Sequence, residues 1–65
     1  YEAQENVEVT RRVNEKETTI FVLNHNQTPS WVDFGEDLLT NLVTKETKTG
    51  RCEIAGRDVW VLKKN

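Results

Sequence analysis

Residues 19–23, Thr-Ile-Phe-Val-Leu, form the most apolar and most β-branched run of the sequence and constrain its fold more than any other feature. β-Branched and aromatic residues favour strands, so this run is predicted to be the central strand of a sheet. Successive side chains of a strand point to opposite faces, so Ile20 and Val22 lie on one side of it. Phe21 and Leu23 lie on the other side, and we expect both faces to be covered.

The length and composition limit the chain to one small soluble domain. It has 65 residues, of which 35% are hydrophobic and 31% charged, with a formal net charge of -2. A chain of this size supports one core and not two. Its lysines and arginines are dispersed among eleven acidic residues and form no basic stripe, so we expect no nucleic-acid partner. The longest apolar run, residues 20–23, is far too short to cross a membrane, so we expect no membrane partner.

The cysteine and methionine content bears on the cellular location. Cys52 is the only cysteine and cannot form an internal disulfide, whereas small secreted domains usually need several. The sequence therefore predicts a reducing compartment, the cytoplasm. The chain starts at Tyr1 and contains no methionine, so we expect it to be a fragment of a longer polypeptide.

Alternation of apolar and polar residues predicts the strand that precedes the central one. Val7, Val9 and Val13 alternate with polar residues, which is typical of a half-buried strand with a solvated outer face. Residues 14–17 form a short polar break of the length found in hairpins, so the two strands are expected to pair antiparallel. Residues 1–6 show no pattern and are interpreted as a linker or frayed terminus, which leaves residues 7–65 as a single β domain.

Further short β-type runs follow, separated by polar breaks that contain glycine, proline or asparagine. They cover residues 31–34, 42–44, 51–54 and 59–62. The last run has apolar residues on both faces and is expected to lie beside the central strand or across the core from it. No window shows a sustained helical period. The sequence thus predicts an all-β chain, a small antiparallel β-sandwich or meander of about six short strands.

The order of several sequence blocks resembles a known family. Four blocks follow one another along residues 7–62, namely VEVTRRV, IFVLNHN, DLLTN and DVWVL. Together they resemble the small C-terminal domain of bacterial β-galactosidases of glycoside hydrolase family forty-two. The most distinctive blocks are residues 21–25 (FVLNH) and 37–40 (DLLT). The chain departs from the family at Asn41, where a glycine is common, although asparagine also adopts left-handed turn conformations.

The resemblance implies a non-catalytic accessory domain at the end of a larger enzyme that hydrolyses terminal β-D-galactosides. In that family the catalytic glutamates lie on a separate (β/α)₈ barrel, and they match no position of this chain. The implied partner is the remainder of the parent enzyme, including that barrel. No catalytic residue, cofactor or metal ligand is therefore assigned to this chain.

The reactive side chains of the chain have simpler structural interpretations. Glu36 and Asp37 are adjacent carboxylates in a predicted turn, and such residues are usually solvated. Cys52 alternates with Ile54 and is interpreted as a small buried hydrophobe, while His25 ends the central strand and is interpreted as a hydrogen-bonding group at a turn. A structural zinc site needs four ligands, usually cysteine or histidine, and the sequence has one of each.

Two tryptophans support an alternative function. Carbohydrate-binding modules stack sugar rings on exposed aromatic faces, and Trp31 and Trp60 both lie in predicted strands where a ring could be exposed. Their structural interpretation is that both rings belong to the core or pack against the rest of an enzyme. A carbohydrate-binding module with carbohydrate as its partner, and a generic β-sandwich interaction domain, therefore remain as alternatives.

Overall fold

The structure, a computed structural model, describes all of residues 1–65 and contains strands but no helix. It therefore has no helix that could span a membrane. The eight strands, numbered in chain order, are β1 (Glu2–Ala3), β2 (Val7–Val13), β3 (Thr18–Asn24), β4 (Ser30–Asp33), β5 (Leu39–Asn41), β6 (Thr47–Lys48), β7 (Arg51–Ile54) and β8 (Val59–Lys64).

The strands form two antiparallel sheets. The larger sheet has five strands in the order β2-β3-β8-β5-β6, and the smaller has three in the order β1-β4-β7. β3 lies inside the larger sheet, where Val22 is opposite Val9 of β2 and Trp60 of β8. The prediction of an all-β antiparallel sandwich is confirmed. The predicted hairpin of β2 and β3 and the position of the last strand beside the central one are also confirmed.

The core lies between the two sheets and takes one face from each. Ile20 and Val22 of β3 are 2% and 0% exposed, and the smaller sheet covers them with Val32 and Ile54, which are both 0% exposed. Cys52 lies on the same face as Ile54, as its alternation predicted, but it is only partly buried against this cluster and not fully buried as expected. The complete buried apolar cluster has eight members, Ile20, Val22, Val32, Phe34, Leu39, Ile54, Trp60 and Leu62.

The outer face of β3 differs from the prediction. Phe21 and Leu23 are only partly buried, and Val59, opposite Leu23 on β8, is 53% exposed. The expectation that both faces of the central strand are covered is therefore wrong within this domain. Alternation identifies the two faces of a strand but does not say which one meets the second sheet, because apolar side chains occupy both.

Pairing between distant segments explains the other differences in strand number and position. Glu2 and Ala3 form β1 against Asp33 and Val32, so residues 1–6 are not simply a linker or frayed terminus. The strand predicted at residues 42–44 lies instead at Leu39–Asn41, and the chain turns where β-branched residues had suggested a strand. β1 and β6 have two residues each and bring the total to eight strands instead of about six. Strands this short leave no recognisable alternation in the sequence, so they could not be predicted from it.

Asn41 does not provide a left-handed turn residue. The non-glycine residues with positive φ are Asn6, Lys45 and Arg57. Asn41 remains in β5, and its buried side-chain oxygen accepts the backbone N–H groups of Val43 and Thr44 at 2.9 and 3.1 Å. An asparagine here therefore closes the turn with its side chain, and the left-handed position falls on Lys45, with φ 69°.

Replacement of Phe34 by alanine tests which phenylalanine belongs to the core. Phe34 is 1% exposed, so Phe34→Ala should lower the free energy of unfolding of the 65-residue chain by roughly 3–5 kcal/mol, enough to unfold a marginal domain. Phe21→Ala is the matched control, because it removes the same side chain from a partly exposed site and should cost clearly less. Denaturant titration followed by circular dichroism measures both. Equal losses would contradict this assignment of the core.

Candidate functional site

Trp60, one of the two candidate sugar-stacking residues, belongs to the core. Its side chain points between the sheets and is 8% exposed. The ammonium group of Lys48, on the edge strand β6, lies 4.4 Å from the centroid of its ring. Burial on one side and a cation–π contact on the other leave no free ring face for a sugar. Trp60 is therefore a core residue in this structure, which is the structural interpretation that its sequence context allowed.

Trp31, the second candidate, lies on the outer face of the smaller sheet, away from the core. It belongs to β4 of the smaller sheet, where alternation puts Val32 inward and Trp31 on the outer face, half-buried. The Arg51 guanidinium carbon lies 4.4 Å from the ring centroid. The structure does not bring the two tryptophans together, since one faces the core and the other the outer surface. They form no common stacking platform.

His25 and Cys52 also have separate partners. His25 follows β3, and its Nε2 lies 3.1 Å from Glu8 Oε1 on the surface of the larger sheet. Cys52 lies in β7 of the smaller sheet, where its thiol donates to the backbone carbonyl of Thr49 at 3.4 Å. His25 thus has a hydrogen-bonding partner, although on β2 and not across its own turn, and Cys52 has a local backbone partner. The geometry does not assemble them into a nucleophile and base, which require direct hydrogen bonding.

Asp37 is the carboxylate with the most developed surroundings. The Tyr1 hydroxyl donates a hydrogen bond of 2.6 Å to Asp37 Oδ2, and the Lys64 ammonium lies 3.5 Å from the same oxygen. The hydrogen bond from Tyr1 and the positive charge of Lys64 lower the pKa of Asp37 below its ordinary value. Together with Arg11, these residues line a cavity of about 230 Å³ at one end of the sandwich.

This arrangement does not suit proton donation to a glycosidic oxygen. A glycosidase acid needs a carboxyl group whose pKa is raised, so that the proton is present near neutral pH. The surroundings of Asp37 act in the opposite direction and keep it ionised. Its neighbour Glu36 is exposed. The structure also contains no group of three or more histidine, cysteine, aspartate or glutamate side chains arranged to hold a metal ion.

The most highly organised polar residue is Asn24, which lies within the FVLNH block of the sequence. Its side chain is 3% exposed at the end of β3. Its amide nitrogen lies 3.1, 3.2 and 3.0 Å from the carbonyl oxygens of Thr28, Ile54 and Ala55, and its oxygen accepts the Asn26 backbone N–H at 3.0 Å. Asn24 therefore joins the loop after β3 to the end of β7. A polar residue at an inward position of an apolar strand was the available sequence signal.

Gly56 completes the same junction because only glycine fits there. A Cβ atom at this position would collide with the backbone carbonyl of Gln27. The close approach allows the Arg57 N–H to donate to the Asn26 carbonyl at 2.9 Å and the Asn24 N–H to donate to the Asp58 carbonyl at 3.0 Å. The polar end of the central strand is therefore a structural clamp between the two sheets and does not form a catalytic centre.

The clamp predicts a specific effect of replacing Asn24. Asn24→Ala removes the donor to buried carbonyl groups at the end of β7 and should lower the free energy of unfolding by roughly 1–3 kcal/mol. Asn65→Ala is the control, because Asn65 is exposed and its side chain accepts one surface hydrogen bond from Thr40. Thermal melts of the 65-residue variants provide the comparison. An Asn24 variant as stable as the Asn65 variant would argue against the clamp.

Tyr1 allows a direct titration because it is the only tyrosine of the chain. Its pKa is raised from 10.0 to about 12, mainly by partial burial and further by the hydrogen bond to Asp37. The folded state thus holds the phenol proton more tightly than the unfolded state. Its contribution to stability is present below pH 10 and is lost as the pH rises through about 12.

Tyrosinate absorbance, with circular dichroism recorded alongside to monitor folding, should therefore give a midpoint near 12. Asp37→Asn should move this midpoint part of the way back toward the ordinary value, since burial remains and the negative charge does not. A midpoint at the ordinary tyrosine value in the folded chain would show that Tyr1 and Asp37 are not in contact.

Comparisons with known proteins give the chain a family. A family model described as β-galactosidase C-terminal domain matches residues 6–64. The chain is 33% identical over 60 residues to β-galactosidase BgaP from Planococcus sp. (strain L4), a match that covers 92% of this chain and 9% of the relative. It also resembles the crystal structure of a β-galactosidase from Bacillus circulans sp. alkalophilus, with a TM-score of 0.90 and 31% identity over 98% of this chain and 10% of that one.

The chain thus spans about a tenth of the length of these relatives, and the part it matches is a domain. The match includes Asn24 and Gly56, which form the clamp, and nearly all of both sheets. Fold and sequence agree, since both comparisons cover more than nine-tenths of this chain. This chain belongs to the β-galactosidase C-terminal domain family.

Proposed function

We propose that the chain is a non-catalytic C-terminal accessory domain that packs against and stabilises the catalytic part of a parent enzyme. That parent hydrolyses terminal β-D-galactosides with residues outside this domain. The observation that carries the proposal is the match of residues 6–64 to the C-terminal domain family, in relatives of which this chain covers only about a tenth.

The absence of a catalytic role for the domain itself is supported by its electrostatics and size. Two carboxyl groups flanking a sugar cleft, one of them with a raised pKa, are the requirement for glycoside hydrolysis. Asp37 has a lowered pKa and is occupied by Tyr1 and Lys64. A chain of 65 residues that builds two sheets leaves little material for a deep cleft.

A stabilising role and a cytoplasmic location are supported by the small core and the free thiol. Only 11 of 65 residues are buried, so folding of the domain gains little from its own interior and would gain from further contacts. Cys52 is unpaired, and no disulfide reinforces the sandwich. A domain of this kind suits the reducing bacterial cytoplasm, where contact with a larger body replaces covalent reinforcement.

The proposal is tested by removing residues 6–64 from the full-length parent. The shortened enzyme should retain hydrolysis of a nitrophenyl β-galactoside at low temperature but lose it several degrees lower on heating, because contacts with the domain are missing. The isolated 65-residue chain should show no hydrolysis. Activity of the isolated chain would overturn its non-catalytic assignment, and an unchanged melting temperature of the shortened enzyme would overturn the stabilising role.

Substitution provides a second test in case the shortened enzyme does not fold. Asn24→Ala in the full-length parent weakens the domain from within, through the contacts of Asn24 with the carbonyls of Ile54 and Ala55. It should lower the temperature at which the parent inactivates, whereas Asn65→Ala should not. Equal inactivation temperatures would contradict a stabilising role.

Sugar binding at Trp31 is a second candidate function, favoured by the position of that ring on the outer surface beside polar residues. Gln4, Arg51 and Glu53 line a shallow cavity with it. Galactose or an oligosaccharide would have to displace Arg51 from the ring face. Titration with these sugars should leave tryptophan fluorescence unchanged under the structural assignment. Saturable changes that disappear in Trp31→Phe would assign carbohydrate binding to this face.

A further inference from the structure

An apolar patch occupies the outer face of β3 and β8, two adjacent inner strands of the larger sheet. Phe21 lies opposite Val61 and Leu23 lies opposite Val59, so apolar side chains are paired across β3 and β8. Leu42, whose N–H donates to the Val61 carbonyl at 2.9 Å, extends this row beyond β5. Val59 is 53% exposed and Leu42 is 40% exposed. These five residues are called the β3–β8 patch.

The outer face of the smaller sheet has a different character. Apart from Trp31, its side chains are polar, and the cross-strand pairs there are Asp33 with Arg51 and Trp31 with Glu53. Arg51 also stacks on Trp31 and shields part of its ring. Single exposed apolar residues are ordinary, but a contiguous apolar group on one face of a small domain marks an interaction surface. This difference between the two outer faces favours the larger sheet as the one that carries the interaction surface.

We propose that the β3–β8 patch is the surface by which this domain docks onto the part of its parent polypeptide that lies outside the domain. The inference rests on the proposed function and deepens it by naming the face. It also accounts for the central strand, which has a second apolar face that its own domain leaves open. Contact with the parent body covers Phe21 and Leu23 as the second sheet covers Ile20 and Val22.

The available area favours this occupant over a second copy of the chain. A stable dimer of separate molecules buries about 800 Å² on each partner, out of 4455 Å² for the whole domain. Even a fully buried aromatic side chain contributes only roughly 150–250 Å², and the patch contains five side chains that are already partly covered. A partner in the same polypeptide needs a smaller contact area than a free dimer does, because the covalent linkage holds it at an effective concentration on the order of millimolar.

The length of the relatives indicates which partner is linked to the domain. The matches cover 9% and 10% of two β-galactosidases, so about nine-tenths of each relative lies outside the matched domain. A body of that size offers ample surface for one small domain. The linked arrangement requires only a modest apolar contact, and the patch provides one.

The border of the patch indicates the chemistry of the complementary surface. The outer side of β2 carries Glu8, Thr10 and Arg12. On β8 the next outward residue after Val61 is Lys63. Lys63 lies 3.7 Å from Glu17. Specific interfaces combine an apolar centre with a polar rim, and this rim has charges of both signs. The docking site on the parent body is therefore an apolar surface surrounded by side chains of both charges, and not a strongly basic or acidic one.

Thiol labelling of the full-length parent tests the proposal. Val59→Cys places a probe in the patch, and Glu53→Cys places the matched probe on the outer face of the smaller sheet. Both are made with Cys52→Ala, so that the introduced thiol is the only one in the domain. Maleimide labelling, measured peptide by peptide by mass spectrometry and normalised to the denatured protein, should be at least roughly tenfold slower at position 59 than at position 53.

The outcomes separate this inference from the proposed function. Slow labelling at position 53 with fast labelling at position 59 would overturn the choice of face while the accessory role stands. Fast labelling at both would overturn docking through the β3–β8 patch, while the accessory role is decided separately by the removal of residues 6–64. Slow labelling at both would overturn the assignment of docking to this face. Protection at position 59 that disappears on dilution would assign the patch to a second copy and overturn the occupant proposed here.

A charge introduced at the edge of the patch gives an independent test in the same protein. Leu42→Lys places an ammonium group in the contact and should raise the labelling rate at position 59 severalfold. Val43→Lys is the control, because Val43 is the next residue, is 79% exposed and lies outside the patch. Both substitutions are at exposed positions, so the domain itself should remain folded. Equal labelling rates in the two variants would overturn the proposed docking surface.

Discussion

Burial of one face of β3 against the smaller sheet is the constraint on which the rest of the domain depends. β3 is hydrogen-bonded on both sides, to β2 and to β8, and its Val22 is 0% exposed. The same seven residues thus pair with two strands of the larger sheet and supply part of its contact with the smaller one, through Ile20 and Val22. Ile20 and Val22 are two of only eight buried apolar residues, so loss of this contact would remove a substantial share of the core.

The polar end of β3 shows how a small sandwich is closed without a disulfide. Asn24 continues the inward row of Ile20 and Val22, so an amide occupies a position where an apolar side chain would extend the core. Its hydrogen bonds to carbonyls at the end of β7 link the two sheets directly, and Gly56 permits the close backbone approach. A fully satisfied buried amide specifies one arrangement of loops, which apolar packing alone does not.

The sequence predicted the strands whose apolar pattern is local. It was less informative about burial and contacts that depend on residues far apart in the sequence. Alternation identified β2, and the apolar run identified β3, because both signals lie within the strand itself. The sequence pattern predicted that Phe21 is covered and did not distinguish Phe34 as a core residue, since only the second sheet decides which face of β3 is inside. The sequence left a surface role for Trp60 open beside the core interpretation, which the structure supports. The Asn24 clamp depends on residues about thirty positions away, which no local pattern reports.

The two faces of β3 therefore have different physical roles, and this affects how the domain and its parent would be coupled. Residues that face the smaller sheet stabilise the domain wherever it is. Residues of the β3–β8 patch contribute fully only when water is removed from them, which in the proposed arrangement happens on docking. Folding of the domain and its contact with the parent are then linked, since a partner that binds only the folded state stabilises it by mass action. A core this small makes that linkage a substantial part of the stability of the docked domain.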